Sequence, residues 1–136
     1  MILATFDTNV LVSSLLSRRD DSAVVLVVEA MLRGEITPLY NDEILNEYGD
    51  VLRRSKFHFP EERIQFLLDS IVKFGIDTER LLTGMTLPDM DDLVFYEVTM
   101  NMADENAYLV TGNLKHFPVQ PNIVSPAEML VIMALD

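Results

Sequence analysis

The sequence predicts an α/β protein with a Rossmann-like three-layer α/β/α fold and a central, mostly parallel sheet. Short β-rich runs alternate with longer segments of helical periodicity, which is the order of elements that builds a parallel sheet. At 136 residues and 49% hydrophobic, the chain is long enough for one packed core and too short for two ordinary domains. We therefore expect a single domain over residues 1–136.

The first half of the chain begins with two strand and helix pairs. The apolar run 2–6 predicts a strand and 22–33 predicts a helix, although the β-branched valines within 24–28 leave a strand as the alternative. A strand over 37–40 and a helix over 42–54 follow. This rhythm is typical of parallel strands joined by crossover helices.

The second half continues the same alternation. A helix begins at Pro60 and ends near Gly75, and a further helix is expected over 91–103. Strands are expected over 107–111 and 122–124. Both strands are short and apolar, as the buried strands of a parallel sheet are.

The last helix has the clearest start signal in the chain. Ser125 and Glu128 form a capping box, with Pro126 between them at the first helical position. The segment 129–135 that follows is apolar nearly all round. This predicts burial in the core or at a contact between subunits.

Composition excludes several classes of protein and of chemistry. No apolar stretch reaches the roughly 20 residues that a bilayer requires, and the N-terminus lacks a signal peptide's basic region, so we expect a cytoplasmic protein with no membrane association. Without cysteine, the available groups are carboxylates, hydroxyls, amides and two histidines. His58 and His116 are isolated in sequence, and we assign neither a catalytic role. The oxygen atoms of carboxylates, hydroxyls and amides suit Mg²⁺ or Mn²⁺ best as ligands.

The charge balance argues against a broad positive field that would attract nucleic acid. The net charge is −12, which is explained either by a solubilising acidic surface or by attraction of a basic protein partner. The bases are instead local: segment 52–59 combines Arg53, Arg54 and Lys56 with aromatic residues, which suits phosphate contact and base stacking. The alternative is that these cations complement the dipole at the end of a helix.

Polar side chains recur where predicted strands end and the next helices begin. They are Asp7, Glu43, Glu47, Asp89, Asp91, Asp92 and Asn113. Because these ends share one edge of a doubly wound sheet, the side chains are able to meet in one cleft and bind a hard cation.

Each of these acids also has an ordinary explanation. Asp7 would then accept hydrogen bonds from the amides of the turn that follows its strand, and Glu43 and Glu47 would lie on a solvent-exposed face of their helix. Asp91 and Asp92 then complement the dipole at a helix N-terminus. Taken singly, none of the acids is diagnostic of a metal site.

Four segments together resemble the PIN-domain family, and most closely its toxins of toxin–antitoxin systems. They are FDTNVLVS at 6–13, LYNDEILNEY at 39–48, PDMDD at 88–92 and YLVTGN at 108–113. The resemblance covers almost the whole chain. It implies a Rossmann-like parallel sheet that carries a metal-dependent ribonuclease site, often in a homodimer.

The resemblance also implies roles for individual residues. Asp7 matches the family's first acid, Glu47 its helix glutamate and Asp92 the aspartate that opens the later helix, so these three are the expected catalytic residues and ligands of Mg²⁺ or Mn²⁺. The last family acid usually follows a Thr-Gly pair, and here that position is Asn113, which brings an amide oxygen but no charge. Asp91 is a further candidate ligand that would replace the missing charge.

The candidate substrate contacts lie beside these acids. Thr8 and Asn9 resemble the family's polar residues that fix the first acid or a phosphate oxygen, and a turn-stabilising pair is the alternative. The remaining candidates are Thr111, Arg53, Arg54 and Lys56. Glu43, like Asp91, would replace the negative charge that Asn113 lacks if its side chain reached the cleft.

The resemblance therefore predicts a Mg²⁺- or Mn²⁺-dependent endoribonuclease, the toxin component of a toxin–antitoxin system. Its partners would be RNA, an antitoxin protein and further copies of the chain in a homodimer or higher oligomer. The main alternative is a catalytically weakened PIN-like module that binds RNA or a protein. A phosphatase or receiver domain ranks last because no DxDxT motif follows the first strand.

Overall fold

A five-stranded, all-parallel sheet flanked by helices forms the centre of the computed structural model, which describes residues 1–135. The strands are β1 (Leu3–Phe6), β2 (Thr37–Tyr40), β3 (Ile76–Asp77), β4 (Tyr108–Val110) and β5 (Ile123–Val124). Their spatial order is β3-β2-β1-β4-β5, and every neighbouring pair is parallel. This confirms the predicted three-layer α/β fold.

Six α-helices pack around the sheet within this part of the chain. They are α1 (Thr8–Leu16), α2 (Ala23–Leu32), α3 (Asp42–Leu52), α4 (Glu61–Phe74), α5 (Leu93–Asn101) and α6 (Pro126–Leu135). The valine-rich segment of α2 is helical, as expected. Helix α3 ends two residues earlier than predicted, and a 3₁₀ turn at Met90–Asp92 replaces the expected start of α5. Such differences at helix ends are ordinary fraying.

Two elements were not predicted from the sequence. Helix α1 is rich in β-branched residues and serine, which are weak helix formers, and its contacts with α2 and α3 compensate for this weakness. Strand β3 has two residues, both exposed, and exists because Ile76 and Asp77 pair with β2. Tertiary contacts therefore decide both elements.

Burial of the strands on both faces follows from their composition. All four residues of β1 are buried, and so are Leu109, Val110 and both residues of β5. Helix α5 packs across β1, β2 and β4, where Thr99 Oγ1 donates a hydrogen bond to Thr5 Oγ1 at 2.9 Å. This contact ties α5 to the central strand.

The C-terminal helix begins as the capping box predicts. The Ser125 amide donates to Glu128 Oε1 at 2.9 Å, and the Glu128 amide donates to Ser125 Oγ at 3.1 Å. Within α6, Met129 is buried, whereas Val131 and Leu135 are 61% and 83% exposed. One face of α6 thus enters the core and an apolar face remains open. None of the helices in residues 1–135 has the length and apolarity to span a bilayer.

Strand order determines where a site can form. Connections from β1 and β4 lead to opposite halves of the sheet, which leaves a crevice beyond the carboxyl ends of these two strands. Phe6 pairs with Val110, and the Asp7 amide donates to the Val110 carbonyl at 2.9 Å. The residues that follow the two strands, Asp7 and Thr111, therefore lie side by side.

Candidate metal centre and active site

A cavity of about 370 Å³ opens beyond the carboxyl ends of β1 and β4. Five carboxylates line it, against one guanidinium and one imidazole. These charged or titratable residues are Asp7, Glu47, Asp89, Asp91, Asp92, Arg54 and His116. Polar residues, among them Thr8, Asn9 and Asn113, and several apolar residues, among them Phe57, form the rest of the wall. The cavity therefore collects oxygen donors with little positive charge to balance them.

Asp7 is held rigidly at the base of the cavity. Its Oδ2 accepts hydrogen bonds from Thr111 Oγ1 at 2.8 Å and from Asn9 Nδ2 at 3.1 Å, and the side chain makes no capping bond to α1. Asn9 Oδ1 in turn accepts a hydrogen bond from the Gly112 amide at 3.0 Å. A Cβ at position 112 would lie 3.3 Å from that oxygen, which is a tight contact, so glycine suits this close approach. The geometry favours orientation of Asp7 over local turn stabilisation.

Glu47 reaches the same cavity because its helix is anchored by the next residue. Tyr48 is fully buried, and its hydroxyl donates to the backbone carbonyl of Phe6 at the end of β1. Its ring also packs against Phe95 of α5, with centroids 5.9 Å apart. Asn41 accepts from the Ile44 amide and caps the start of α3. These contacts position the face of α3 that carries Glu47.

Asp92 stands at the junction of a 3₁₀ turn and α5, and it has a basic neighbour. Its Oδ2 lies 3.0 Å from His116 Nδ1, and Asn113 Nδ2 lies within 3.2 Å of the same ring. Asp89 accepts from the Asp91 amide at 3.0 Å, which fixes the turn. Donor atoms of Asp89, Asp92 and His116 lie within 4.8 Å of one another. This spacing is compatible with shared coordination of one ion.

Burial and mutual repulsion raise the pKa values of the three expected catalytic acids. Loss of hydration raises the pKa of Asp7 to about 6, opposed by the hydrogen bond from Thr111 and reinforced by the charge of Asp92. Burial and the charge of Asp91 raise the pKa of Glu47. Burial also raises the pKa of Asp92, against the hydrogen bond with His116. The cavity thus has negative charge that a cation would stabilise.

The donor set fits a hard divalent cation. Carboxylate and amide oxygens are the ligands that Mg²⁺ and Mn²⁺ take, and His116 adds a nitrogen that Mn²⁺ tolerates better. Thr8 Oγ1 is also buried beside Asp7 without a hydrogen-bond partner in residues 1–135. The excess of carboxylates over cations and the unpaired hydroxyl in one wall fit a bound cation.

Three of the predicted contact residues do not line the cavity. Thr111 is fully buried, and its hydroxyl donates to Asp7, so it is placed to position that acid. Arg53 points away and pairs with Glu61 at 2.9 Å. Lys56 lies over the Phe57 ring, 5.1 Å from its centroid. In each case a closer partner takes the side chain.

Glu43 is also directed elsewhere. Its carboxylate pairs with Arg80 Nη1 at 2.8 Å, outside the acidic cavity. It therefore does not supply the charge that Asn113 lacks, whereas Asp91 does line the cavity.

Sequence reasoning undervalued two residues. His116 belongs to the cavity because a 3₁₀ turn at Leu114–His116 carries it back over Asn113, a spacing of three residues that signals such proximity. Tyr48 anchors α3, and no local pattern in the sequence shows that its hydroxyl reaches β1.

Comparison with known proteins identifies the family. The family model described as PIN domain matches residues 4–115, which include all the acids of the cavity. No curated protein and no solved structure gives a match. Members of this family are typically nucleases that use divalent metals. From the matched residues and the parallel sheet that carries them, the chain belongs to the PIN-domain family.

Proposed function

We propose that the protein is a Mg²⁺- or Mn²⁺-dependent endoribonuclease that hydrolyses RNA phosphodiester bonds, with Asp7, Glu47 and Asp92 as its catalytic acids. The observation that carries this proposal is the convergence of these side chains, from three separate elements, in one cavity. Elevated pKa values for all three support a role in holding a cation.

Each residue of the cavity has a distinct part in this proposal. Asp7 and Asp92 would hold the cation directly, and Glu47 would hold a coordinated water or a second ion. Asn113 would contribute its amide oxygen. When bound, the cation would activate water and stabilise charge on the phosphoryl oxygens. His116 orients Asp92 through the 3.0 Å contact.

Orientation of Asp7 is shared by two neighbours. Thr111 and Asn9 both donate to its Oδ2, which leaves Oδ1 available for the cation. Arg54 supplies the guanidinium in the cavity wall, where it is placed to contact a phosphate. Thr8 and Asn9 complete the proposed substrate contacts.

Charge removal at the catalytic acids tests the proposal. Asp7→Asn and Asp92→Asn are nearly isosteric, so we expect each to abolish Mn²⁺-dependent cleavage of RNA while circular dichroism shows an intact fold. Conversely, Asn113→Asp adds a ligand charge and is expected to tighten Mn²⁺ binding about tenfold in calorimetric titrations. Wild-type cleavage rates in both Asn variants would refute the assignment.

A catalytically weakened module that binds RNA or a protein is the second candidate. Asn113 favours it, because this side chain adds no negative charge to the metal site. Titration with Mn²⁺ distinguishes the two candidates. A nuclease cleaves RNA in Mn²⁺ and stops when EDTA is added, whereas a binding module cleaves RNA neither with Mn²⁺ nor with EDTA.

The proposed setting is a cytoplasmic toxin–antitoxin system, supported by the sequence resemblance. An antitoxin protein would silence the toxin, and two or more copies of the chain would associate. The exposed apolar side chains Val131 and Leu135 on α6 support such a contact between copies. Sedimentation of the wild type and of Val131→Asp tests it: a dimer is expected to dissociate in the variant.

A further inference from the structure

The loop between α3 and α4 carries two stacked aromatic rings beside the acidic cavity. The rings of Phe57 and Phe59 are nearly parallel, with an interplanar angle of 8° and centroids 5.2 Å apart. Phe59 packs against the hydrophobic core, whereas Phe57 lines the cavity. The inner ring therefore fixes the outer ring in place, and the outer ring is presented to whatever enters the cavity.

The backbone maintains this arrangement at a local cost. Residues Ser55–Phe57 form a 3₁₀ turn, and His58 follows in the left-handed conformation, with φ of 56°. A non-glycine residue rarely adopts this conformation, which is unfavourable because its Cβ crowds the backbone. The turn at His58 brings the side chains at 57 and 59 onto each other.

The charge of the cavity and of the chain favours an uncharged source of RNA affinity. Five carboxylates line the cavity and the net charge of the chain is −12, so phosphate attraction by the protein alone is weak. Stacking of a base on an aromatic ring does not depend on net charge, and every base has a face that stacks. Phe57, which is partly buried, gives the acidic cavity a flat apolar side chain near its Arg54 wall.

Two cations flank the ring. Arg54 lines the cavity beside Phe57, and Lys56 Nζ lies 5.1 Å from the ring centroid. None of the carboxylates in residues 1–135 forms an ion pair with either cation. A nucleotide whose base stacked on Phe57 would displace Lys56 from the ring and would have Arg54 of the cavity wall within reach of its phosphate.

We propose that Phe57, supported from behind by Phe59, binds a base of single-stranded RNA. In a duplex both faces of a base are covered by its neighbours, so only an unpaired base can stack on this ring. The proposal deepens the proposed ribonuclease function, on which its reference to a substrate rests: it assigns Phe57 as the residue that positions one unpaired base beside the acidic cavity. The binding step itself involves no cleavage.

The absence of tryptophan from the sequence permits a direct test. Phe57→Trp introduces a single reporter, and the protein is titrated with a single-stranded RNA oligonucleotide or with the same strand in a duplex. Ca²⁺ replaces Mn²⁺ because its looser coordination is less suited to catalysis, and a gel checks that the RNA stays intact. We expect the single strand to quench the fluorescence and the duplex to leave it nearly unchanged.

Phe66→Trp is the matched reporter control. Phe66 is 62% exposed on α4 and lines a different cavity, so its fluorescence is expected to be unaffected by either RNA. Equal quenching at positions 57 and 66, or equal quenching by single strand and duplex, would overturn the proposal.

A second pair of variants measures affinity without a reporter. Phe57→Leu keeps an apolar side chain but removes the flat ring, and is expected to weaken single-strand binding about 5- to 100-fold. Phe66→Leu should leave binding unchanged. Thermal unfolding verifies that both variants fold. Unchanged single-strand affinity in Phe57→Leu would contradict the proposed role of the ring.

Failure of this inference and failure of the nuclease proposal give different results. Selective quenching without any Mn²⁺-dependent cleavage would retain the base-binding role of Phe57 and remove the enzyme. Cleavage without selective quenching would retain the enzyme and remove the stacking role.

Discussion

Asp7 and Glu97 are both almost fully buried carboxylates, 4% and 2% exposed, yet their surroundings shift their pKa values in opposite directions. Burial alone would raise the pKa of Glu97, but hydrogen bonds from Thr83 and Arg80 and the charge of Arg80 hold it below the usual range. No cation donates a hydrogen bond to Asp7, and its pKa rises to about 6. Both acids are buried, so the opposite shifts of their pKa values come from their different hydrogen-bond and charge partners.

The partners of Glu97 are those of a structural ion pair. Arg80 Nη2 lies 2.7 Å from its Oε1, and the Thr83 amide and hydroxyl donate to its Oε2 at 2.7 and 2.8 Å. Because Arg80 also pairs with Glu43, it joins α3, α5 and the loop that follows β3. The charge of Glu97 is balanced within the protein.

The neighbours of Asp7 orient its charge without balancing it. Neutral donors hold its Oδ2, and Glu47 and Asp92 share its cavity. A buried carboxylate without a counter-ion costs free energy of folding. The contrast with Glu97 supports the proposal that the acidic cavity holds a cation, with its carboxylates placed at the expense of stability.

Neutralising the two acids should change stability in opposite directions. We expect Asp7→Asn to stabilise the metal-free protein by up to about 3 kcal/mol at neutral pH, because it removes an unbalanced buried charge. We expect Glu97→Gln to destabilise it by about 2 kcal/mol, since Arg80 loses its buried partner. Urea unfolding in EDTA measures both, and a shift of the same sign in both variants would contradict the comparison.

The pH dependence of stability sharpens the same contrast. Asp7 has a pKa of about 6 in the folded protein against an ordinary 3.8, so the folded state binds more protons between these values. Its cost is absent below pH 3.8, grows as the pH rises and is complete above pH 6. The extra stability of Asp7→Asn over wild type should therefore appear across this window.

Glu97 follows the opposite rule. Because its pKa is lowered by folding, its stabilising contribution is present above its ordinary pKa of 4.5 and is lost as the pH falls below that value. Unfolding of Glu97→Gln and wild type in EDTA should converge at low pH. A difference between them that grows on acidification would be inconsistent with this pair.

Arg53 and Arg54 extend the comparison to adjacent cations and smaller effects. Arg53 is bound by Glu61, whereas Arg54 lines the acidic cavity without an ion pair in residues 1–135. We expect Arg54→Gln to reduce the slope of log affinity against log salt for single-stranded RNA by about 0.7, the value for one phosphate contact. Arg53→Gln is the matched control, and its slope should equal that of wild type.

Local patterns predicted most of the fold. The capping box at Ser125 and the alternation of apolar runs with amphipathic segments depend on neighbours along the chain, so they are readable without tertiary structure. Helix α1 and strand β3 were not predicted because they have weak propensity or very short length, and long-range packing stabilises them.

The candidate site likewise has features that the sequence predicted and features that only the structure showed. Acids after strands and at helix starts were recognisable from their positions, and the family match covers them. The removal of Glu43 and Arg53 from the site was not recognisable, because it depends on Arg80 and Glu61, which lie 37 and 8 residues away.

The sequence by itself determined the parallel α/β arrangement and the placement of carboxylates at strand and helix ends, because periodicity, capping and strand composition act over a few residues. Tertiary structure alone decided which carboxylates share the cavity and which are neutralised by arginine. The reason is that the register of β1 against β4, the anchor from Tyr48 to β1 and the Arg80 ion pairs all join distant parts of the chain.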